Sequence, residues 1–157
     1  MAWFEKYLYV KKSGLKRAGK GLFTKKAIPK GKCLTEYKGR IRTWKESLKE
    51  PGDNQYFFYV NAKTVINPLH GKNTLAHFAN DADGFTRSKA HKNNAEYLTE
   101  GKRCFIYSTR PIARFEEILV DYGWEYWKVR KEIMRDKKPK KRKKKTQLAI
   151  FLSSRID

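Results

Sequence analysis

Acidic residues are scarce: 16 Asp and Glu stand against 37 Lys and Arg, leaving 157 residues with a net charge of +21. The resulting field draws nucleic acid, other polyanions and acidic partners, without saying which. Cysteine is scarcer still. Cys33 and Cys104 lie far apart in no C-x-x-C, which argues against a disulfide framework and a zinc knuckle and suits a reducing compartment. No run approaches the roughly 18 apolar residues of a membrane span. The opening Met1-Ala2-Trp3-Phe4-Glu5-Lys6 has no apolar stretch of the signal-peptide kind after it. No internal repeat is present. The expectation is a soluble, intracellular chain with no membrane partner.

What is present is enough for one folded body. Hydrophobic residues make up 39% and aromatics 14%, a share that supports a packed core. Part of the charge is local. Residues 137–145, KKPKKRKKK, carry eight basic residues, and removing them still leaves +13. The chain therefore divides into a folded unit over 1–136 and a basic tail over 137–157. The tail residues Lys137, Lys138, Lys140, Lys141, Arg142, Lys143, Lys144 and Lys145 suit phosphate contacts in a nucleic acid. No reading accounts for the short apolar cluster in the final TQLAIFLSSRID.

Strand-like runs are short: Tyr7–Val10, Leu22–Ala27, Cys33–Tyr37, Tyr56–Val60, Thr64–Ile66, Cys104–Tyr107 and Ile118–Val120. Gly, Pro and Asn turns separate them, as at Pro29-Lys30-Gly31 and Glu100-Gly101-Lys102. This spacing predicts a mostly-β body of small sheets. Thr43 and Glu46 have the capping-box spacing for a helix stopped at Pro51-Gly52. A second helix is predicted over Trp124–Arg135, with Trp124, Trp127 and Met134 sharing a face. Residues 78–95 read as a long polar loop.

Four segments carry candidate chemistry, and each also has a plainer reading. Gly19-Lys20-Gly21-Leu22-Phe23 is G-x-G without the rest of a dinucleotide motif, so it is either a tight turn or a place where backbone approaches a ligand. Glu36-Tyr37-Lys38-Gly39 ends a strand with a tyrosine that suits a core. His77-Phe78-Ala79-Asn80-Asp81-Ala82-Asp83 holds ligand-type side chains, but no second His/Cys cluster completes a metal site, and none is expected. His70 and His91 read as solvated. Asp121-Tyr122-Gly123 ends the buried run Ile118-Leu119-Val120, and Trp124, Tyr126 and Trp127 follow at once. A phenol there stays neutral at pH 7 and orients partners better than it takes protons.

In this order the segments GKGLF (19–23), EYKG (36–39), HFAND (77–81) with Asn94-Ala95, and EEILVDYG (116–123) resemble the successive motifs of the SET-domain protein lysine methyltransferases. The resemblance covers about residues 6–128. It implies the SET fold: small β-sheets, with a C-terminal segment threaded under the loop of the Asn motif. It implies an S-adenosylmethionine-dependent protein-lysine N-methyltransferase, with S-adenosylhomocysteine as product. Tyr122 corresponds to the catalytic tyrosine. Tyr37, Tyr97 and Val120 would line the substrate channel. Lys20, Gly21, Leu22, His77, Asn80, Asp81, Tyr122 and Trp127 would contact the cofactor, with Trp124 the rival of Trp127 for the adenine.

Tyr97, three residues after Asn94, points to mono- or dimethylation. The acceptor would be a Lys-rich protein of histone-like or ribosomal type, met by Glu96, Glu100, Glu116 or Glu117. The chain's own basic tail is a further candidate acceptor. The compact size leaves open a homodimer that completes the groove, and a cytoplasmic, nucleoid or nuclear setting. The chain departs from the family where N-H-S-C is usual: here stand Asn80-Asp81-Ala82-Asp83, and Asn93 replaces a proline before Asn94. An ionised Asp81 accepts hydrogen bonds but donates none. The alternative reading is a basic nucleic-acid-binding scaffold that keeps the SET fold with little or no catalysis.

Overall fold

The computed structural model describes residues 4–50, 56–61, 63–70, 74–84 and 89–135. The basic tail and the Pro51-Gly52 stop lie outside these residues. Among the described residues, nine strands form three sheets of three strands each. The first joins β1 (Leu8–Lys12), β2 (Lys20–Thr24) and β9 (Glu117–Ile118) in that order. The second has the order β3 (Cys33–Glu36), β8 (Arg103–Ser108), β7 (Ala95–Glu100). The third has the order β4 (Arg40–Thr43), β6 (Thr64–Asn67), β5 (Phe58–Asn61). All strand pairs within the sheets are antiparallel. Two α-helices, α1 (Trp44–Ser47) and α2 (Trp124–Arg135), and three short 3-10 helices at Glu5–Tyr7, Pro68–His70 and Ala76–Phe78 complete the described elements. None is long and apolar enough to cross a membrane.

Alternation sets which faces meet. Leu8 on β1, Leu22 on β2, Leu34 on β3, Ile66 on β6, Ile106 on β8 and Ile118 on β9 converge on one core shared by all three sheets. Fully burying one such side chain contributes about 1.5–3 kcal/mol. Cys33 and Cys104 are both free thiols on neighbouring strands, and burial pushes the Cys104 thiol up to about 12. Gly39 is required where the chain leaves β3, because a Cβ there would sit 2.4 Å from the Asn67 carbonyl oxygen.

The capping box forms as the spacing predicts. Thr43 Oγ1 accepts from the Glu46 amide, and the Glu46 carboxylate accepts from the Thr43 amide at 2.8 Å. The helix it opens is a single turn. The short apolar runs predict neither β4 nor β7. Both lie at the edges of their sheets, β7 being bridged outside its sheet only at Ala95, and charged residues are tolerated there, so neither shows a clean apolar run. On α2, Trp124 is 68% exposed whereas Trp127 is half-buried, so the two do not share a buried face. The side chain of Met134 is outside the described set.

The run predicted as a strand over Ile118–Val120 changes partners within three residues. Ile118 pairs with Leu22 of β2. Leu119 and Val120 then form parallel bridges to Asn80 and Ala95. The Val120 amide donates to the Asn80 carbonyl at 2.8 Å on one side. The Asn94 and Ala95 amides donate to the Leu119 carbonyl at 2.9 and 3.0 Å on the other. The segment thus passes between the two ends of one loop, the threaded arrangement that the resemblance implies.

Asn94 is the fastener. It has no exposed surface. Its Oδ1 accepts from the Leu119 amide at 2.9 Å, and its Nδ2 donates to the Glu117 carbonyl at 2.8 Å and to the Glu116 carboxylate at 3.2 Å. Truncating it strands a buried donor and a buried acceptor, each costing about 1–3 kcal/mol. Asn94→Ala is therefore expected to lower unfolding free energy by about 3 kcal/mol, read as a lower midpoint in urea. A change under about 0.5 kcal/mol, the scale of an ordinary surface substitution, would show that the threaded segment is held elsewhere.

Candidate active site

Tyr122 stands where the threaded segment emerges. Its phenol donates a short hydrogen bond to the Ala79 carbonyl, one residue before Asn80. Its ring stacks on Trp127 with centroids 5.7 Å apart and lies 6.4 Å from Tyr97. Tyr126 meets it edge-on at 5.0 Å. Tyr97 in turn meets Tyr37 edge-on at 6.1 Å and Phe58 at 5.0 Å. Tyr37 packs on Phe58 at 5.3 Å and donates to the Tyr56 carbonyl at 2.5 Å. Strands β3, β5 and β7 and helix α2 thus place Tyr37, Tyr97 and Tyr122 in one aromatic group. Tyr56, Phe58 and Tyr126 complete it, and sequence reasoning missed them in this role. Tyr126 had a signal, its place in the aromatic run that follows Tyr122. Tyr56 and Phe58 had none beyond strand propensity.

The group is partly shielded from water: Tyr37 is buried, Tyr97 and Tyr122 are half-buried and Tyr56 lies at its exposed edge. Burial first, then neighbouring phenols, pushes the Tyr97 and Tyr122 hydroxyls well above their ordinary value of 10, with Asp81 adding to the effect at Tyr122. Burial does the same to Tyr37. These phenols are neutral at any physiological pH. A surrounding that disfavours phenolate disfavours an ammonium on the same ground, since both are charged forms.

Beside this group lies a second one. Asn80 Nδ2 donates to the Lys20 carbonyl at 2.9 Å and to Glu117 at 3.3 Å. Glu117 is buried and accepts from Ser13 Oγ at 2.6 Å and the Gly14 amide at 2.9 Å. Gly21 leaves room for that carboxylate: a Cβ there would lie 2.1 Å from Glu117 Oε1. The glycine therefore admits an internal side chain, a role that the G-x-G spacing alone does not specify. Three of the four sequence segments, at 20–21, 80 and 117, meet here.

Several expectations need correction. Leu22 has no accessible surface and pairs with Ile118, so it is a core residue rather than a ligand contact. Val120 is likewise wholly buried, in the core on which Tyr97 and Tyr122 pack. His77 packs on Phe78 at 4.1 Å and meets Tyr56 edge-on, on the tyrosine side of the site rather than with Lys20 and Asn80. His91, expected in solvent, is half-buried over Gly14. Glu117 is committed to Ser13 and Gly14, and Glu116 to Arg110 at 2.8 Å and the Ala113 amide at 2.8 Å, so neither acid is open to a basic partner. Glu96 and Glu100 remain exposed on β7. Trp124 is exposed and Trp127 is at the site.

A family model described as SET domain matches residues 19–123. The chain belongs to the SET-domain family, whose members are in general protein lysine methyltransferases that use S-adenosylmethionine. Among solved structures, it resembles a humanized mutant of the Chaetomium thermophilum Polycomb Repressive Complex 2 bound to an inhibitor, with a TM-score of 0.61 and 20% identity over 74% of this chain and 15% of that one. Apo ctPRC2 mutated in Ezh2 gives a TM-score of 0.62 at 22% identity over the same shares, 74% and 15%. An active polycomb repressive complex 2 in the stimulated state gives 0.61 at 22%, again over 74% and 15%. At these identities the likeness is one of fold. No curated protein matches the chain in sequence.

The residues present suit the cofactor of that family. His77 Nδ1 is a buried polar atom without a hydrogen-bond partner among the described residues. No described donor reaches Asn80 Oδ1, although its Nδ2 is held. A zwitterionic amino-acid end and ribose hydroxyls need such acceptors beside backbone groups.

The raised phenol values give a test with a definite sign. The folded chain keeps protons at Tyr37, Tyr97 and Tyr122 that the unfolded chain loses near pH 10. Their contribution is intact below pH 10 and is lost as pH climbs toward the higher folded values. Absorbance at 295 nm is expected to rise in two stages, exposed tyrosines first and the buried ones together with loss of circular dichroism. A single stage near pH 10 with the fold intact would contradict this burial.

Proposed function

We propose that this chain is an S-adenosylmethionine-dependent protein-lysine N-methyltransferase, with Tyr122 as its catalytic tyrosine and Tyr37 and Tyr97 lining the acceptor channel. The observation that carries the reading is the meeting of Tyr37, Tyr97 and Tyr122 in one aromatic group next to the Lys20–Asn80 contact. S-adenosylmethionine supplies, when bound, a methyl group on a positively charged sulfur.

The chain's own residues would do the rest. A lysine side chain has an ordinary pKa of about 10.4 and cannot act as a nucleophile while protonated. The aromatic walls stabilise its neutral form by denying water to the ammonium. The Tyr122 hydroxyl spends its proton on the Ala79 carbonyl, so its oxygen faces the acceptor as a hydrogen-bond acceptor. Accepting an amine N–H there turns the nitrogen lone pair toward the methyl donor. Such fixed geometry lowers the barrier by removing the entropy of encounter. Tyr122 takes no proton in this scheme.

Asn80, with Lys20 and Gly21 through their backbone, would hold the amino-acid end of the cofactor, and the unpartnered His77 Nδ1 would offer the cofactor a separate polar contact from the tyrosine side. The acceptor is a lysine of a basic protein, of histone-like or ribosomal type. Glu96 and Glu100, exposed on β7, would meet it. Tyr97 limits space beside the amine and favours mono- or dimethylation.

Labelled S-adenosylmethionine with histone and ribosomal proteins tests the assignment. The wild-type chain is expected to label a lysine, and Tyr122→Phe to lose about a hundredfold or more in kcat. Tyr97→Phe is expected to raise the proportion of more highly methylated product, counted by mass spectrometry. Undiminished labelling by Tyr122→Phe would remove Tyr122 from its role.

A further inference from the structure

Asp81 occupies the position where the family usually carries histidine, and Asn93 the position of a usual proline. The two departures touch: Asn93 Nδ2 donates to Asp81 Oδ1 at 2.9 Å. Asn93 is itself fixed, because its Oδ1 accepts from the Ala82 amide at 2.9 Å. Asp81 is 4% exposed, and three further donors reach it. The Asp83 amide donates to Oδ1 at 2.9 Å. The Tyr122 amide and the Trp127 indole Nε1–H donate to Oδ2 at 2.8 and 2.7 Å. A carboxylate has about four acceptor positions, so these donors fill it. A buried carboxylate is tolerable only when so satisfied.

We propose that the Asp81 carboxylate is the positioning residue of this site. It ties the backbone of Tyr122 and the indole of Trp127 to the Ala82–Asn93 side of the loop. Docking of α2 and presentation of the Tyr122 phenol become one event. The substitution at 81 is then a compensated exchange and not a lesion: Asn93 supplies a donor that proline lacks, and Asp81 supplies the acceptors that a neutral imidazole cannot. Gly84 fits the same design, since a Cβ there would press on the Trp127 ring at 3.0 Å. Asp81 acts through Tyr122 and Trp127, so it is not a ligand contact, contrary to the expectation from its place in the motif. The kinetic half of this proposal rests on the methyltransferase reading. The structural half does not.

Hydrogen exchange followed by NMR on the full chain, with Asp81→Asn, Asp81→His and Asn93→Ala alongside, is the test. In the wild type the Trp127 Nε1–H and the Tyr122 amide are expected to exchange far more slowly than the Nε1–H of exposed Trp124. Asp81→Asn turns an NH2 toward donors, so both should lose protection while the amides of β8 keep theirs. Asn93→Ala should weaken the same two signals. Asp81→His should do no better than Asp81→Asn, because neutral imidazole offers one acceptor nitrogen. In turnover, kcat of Asp81→Asn should fall about a hundredfold, as a shift of the order of 1 Å in a reacting group can do, with KM for the acceptor lysine nearly unchanged.

Wild-type exchange at Trp127 as fast as at Trp124 would overturn the proposal even if no variant folds. So would full protection, or unchanged kcat, in Asp81→Asn. Should the wild type label no acceptor at all, the exchange pattern still decides the clamp, and the failure falls on the methyltransferase reading alone.

Discussion

One segment held on both sides organises this molecule. Residues 117–120 pair with β2 first, then donate to Asn80 on one flank and accept from Asn94 and Ala95 on the other. The buried Asn94 side chain closes the gap where main-chain pairing changes partners. A chain passing between the ends of a loop pays loop-closure entropy before its contacts form. Buried, fully matched polar groups such as Asn94 stabilise it, since leaving any of them unpaired is costly. The catalytic candidate sits two residues past this grip, so the precision of the site derives from the fastening of the strand.

Two buried carboxylates extend the same logic in a chain otherwise short of acid. Glu117 gathers Ser13, Gly14 and Asn80, joining the G-x-G turn to the Asn motif. Asp81 gathers Asn93, Tyr122 and Trp127. Each is satisfied by several donors of the chain itself, and each fixes residues of a different half of the site. The lysines and arginines dominate the surface and the field, whereas these acids organise the interior.

The mostly-β character, seven of the nine strands, α2 and the capping box of α1 were legible in the sequence, because turn residues and short apolar runs are local signals. The edge strands β4 and β7 were not: Arg40-Ile41-Arg42-Thr43 and Ala95–Glu100 bury little and carry charge. The motif order identified Tyr37, Tyr97 and Tyr122, which the fold brings together. Ser13, Tyr56 and Phe58 escaped, and so did the joining of Asp81 to Tyr122 and Trp127, because these depend on contacts between segments far apart in the chain. Leu22 and Val120 were misjudged for the converse reason: membership of a functional motif does not say which side chains of a strand face the core.

The central claim is that the threaded strand delivers Tyr122 into an aromatic group where a neutral lysine nitrogen meets a methyl donor. A crystal structure with S-adenosylhomocysteine and a lysine peptide tests it most directly. The account predicts the cofactor sulfur and the lysine Nζ on opposite sides of a narrow opening at Tyr122, with Nζ between Tyr37 and Tyr97. A cofactor bound away from Lys20 and Asn80, or a lysine that never reaches the Tyr122 hydroxyl, would contradict it.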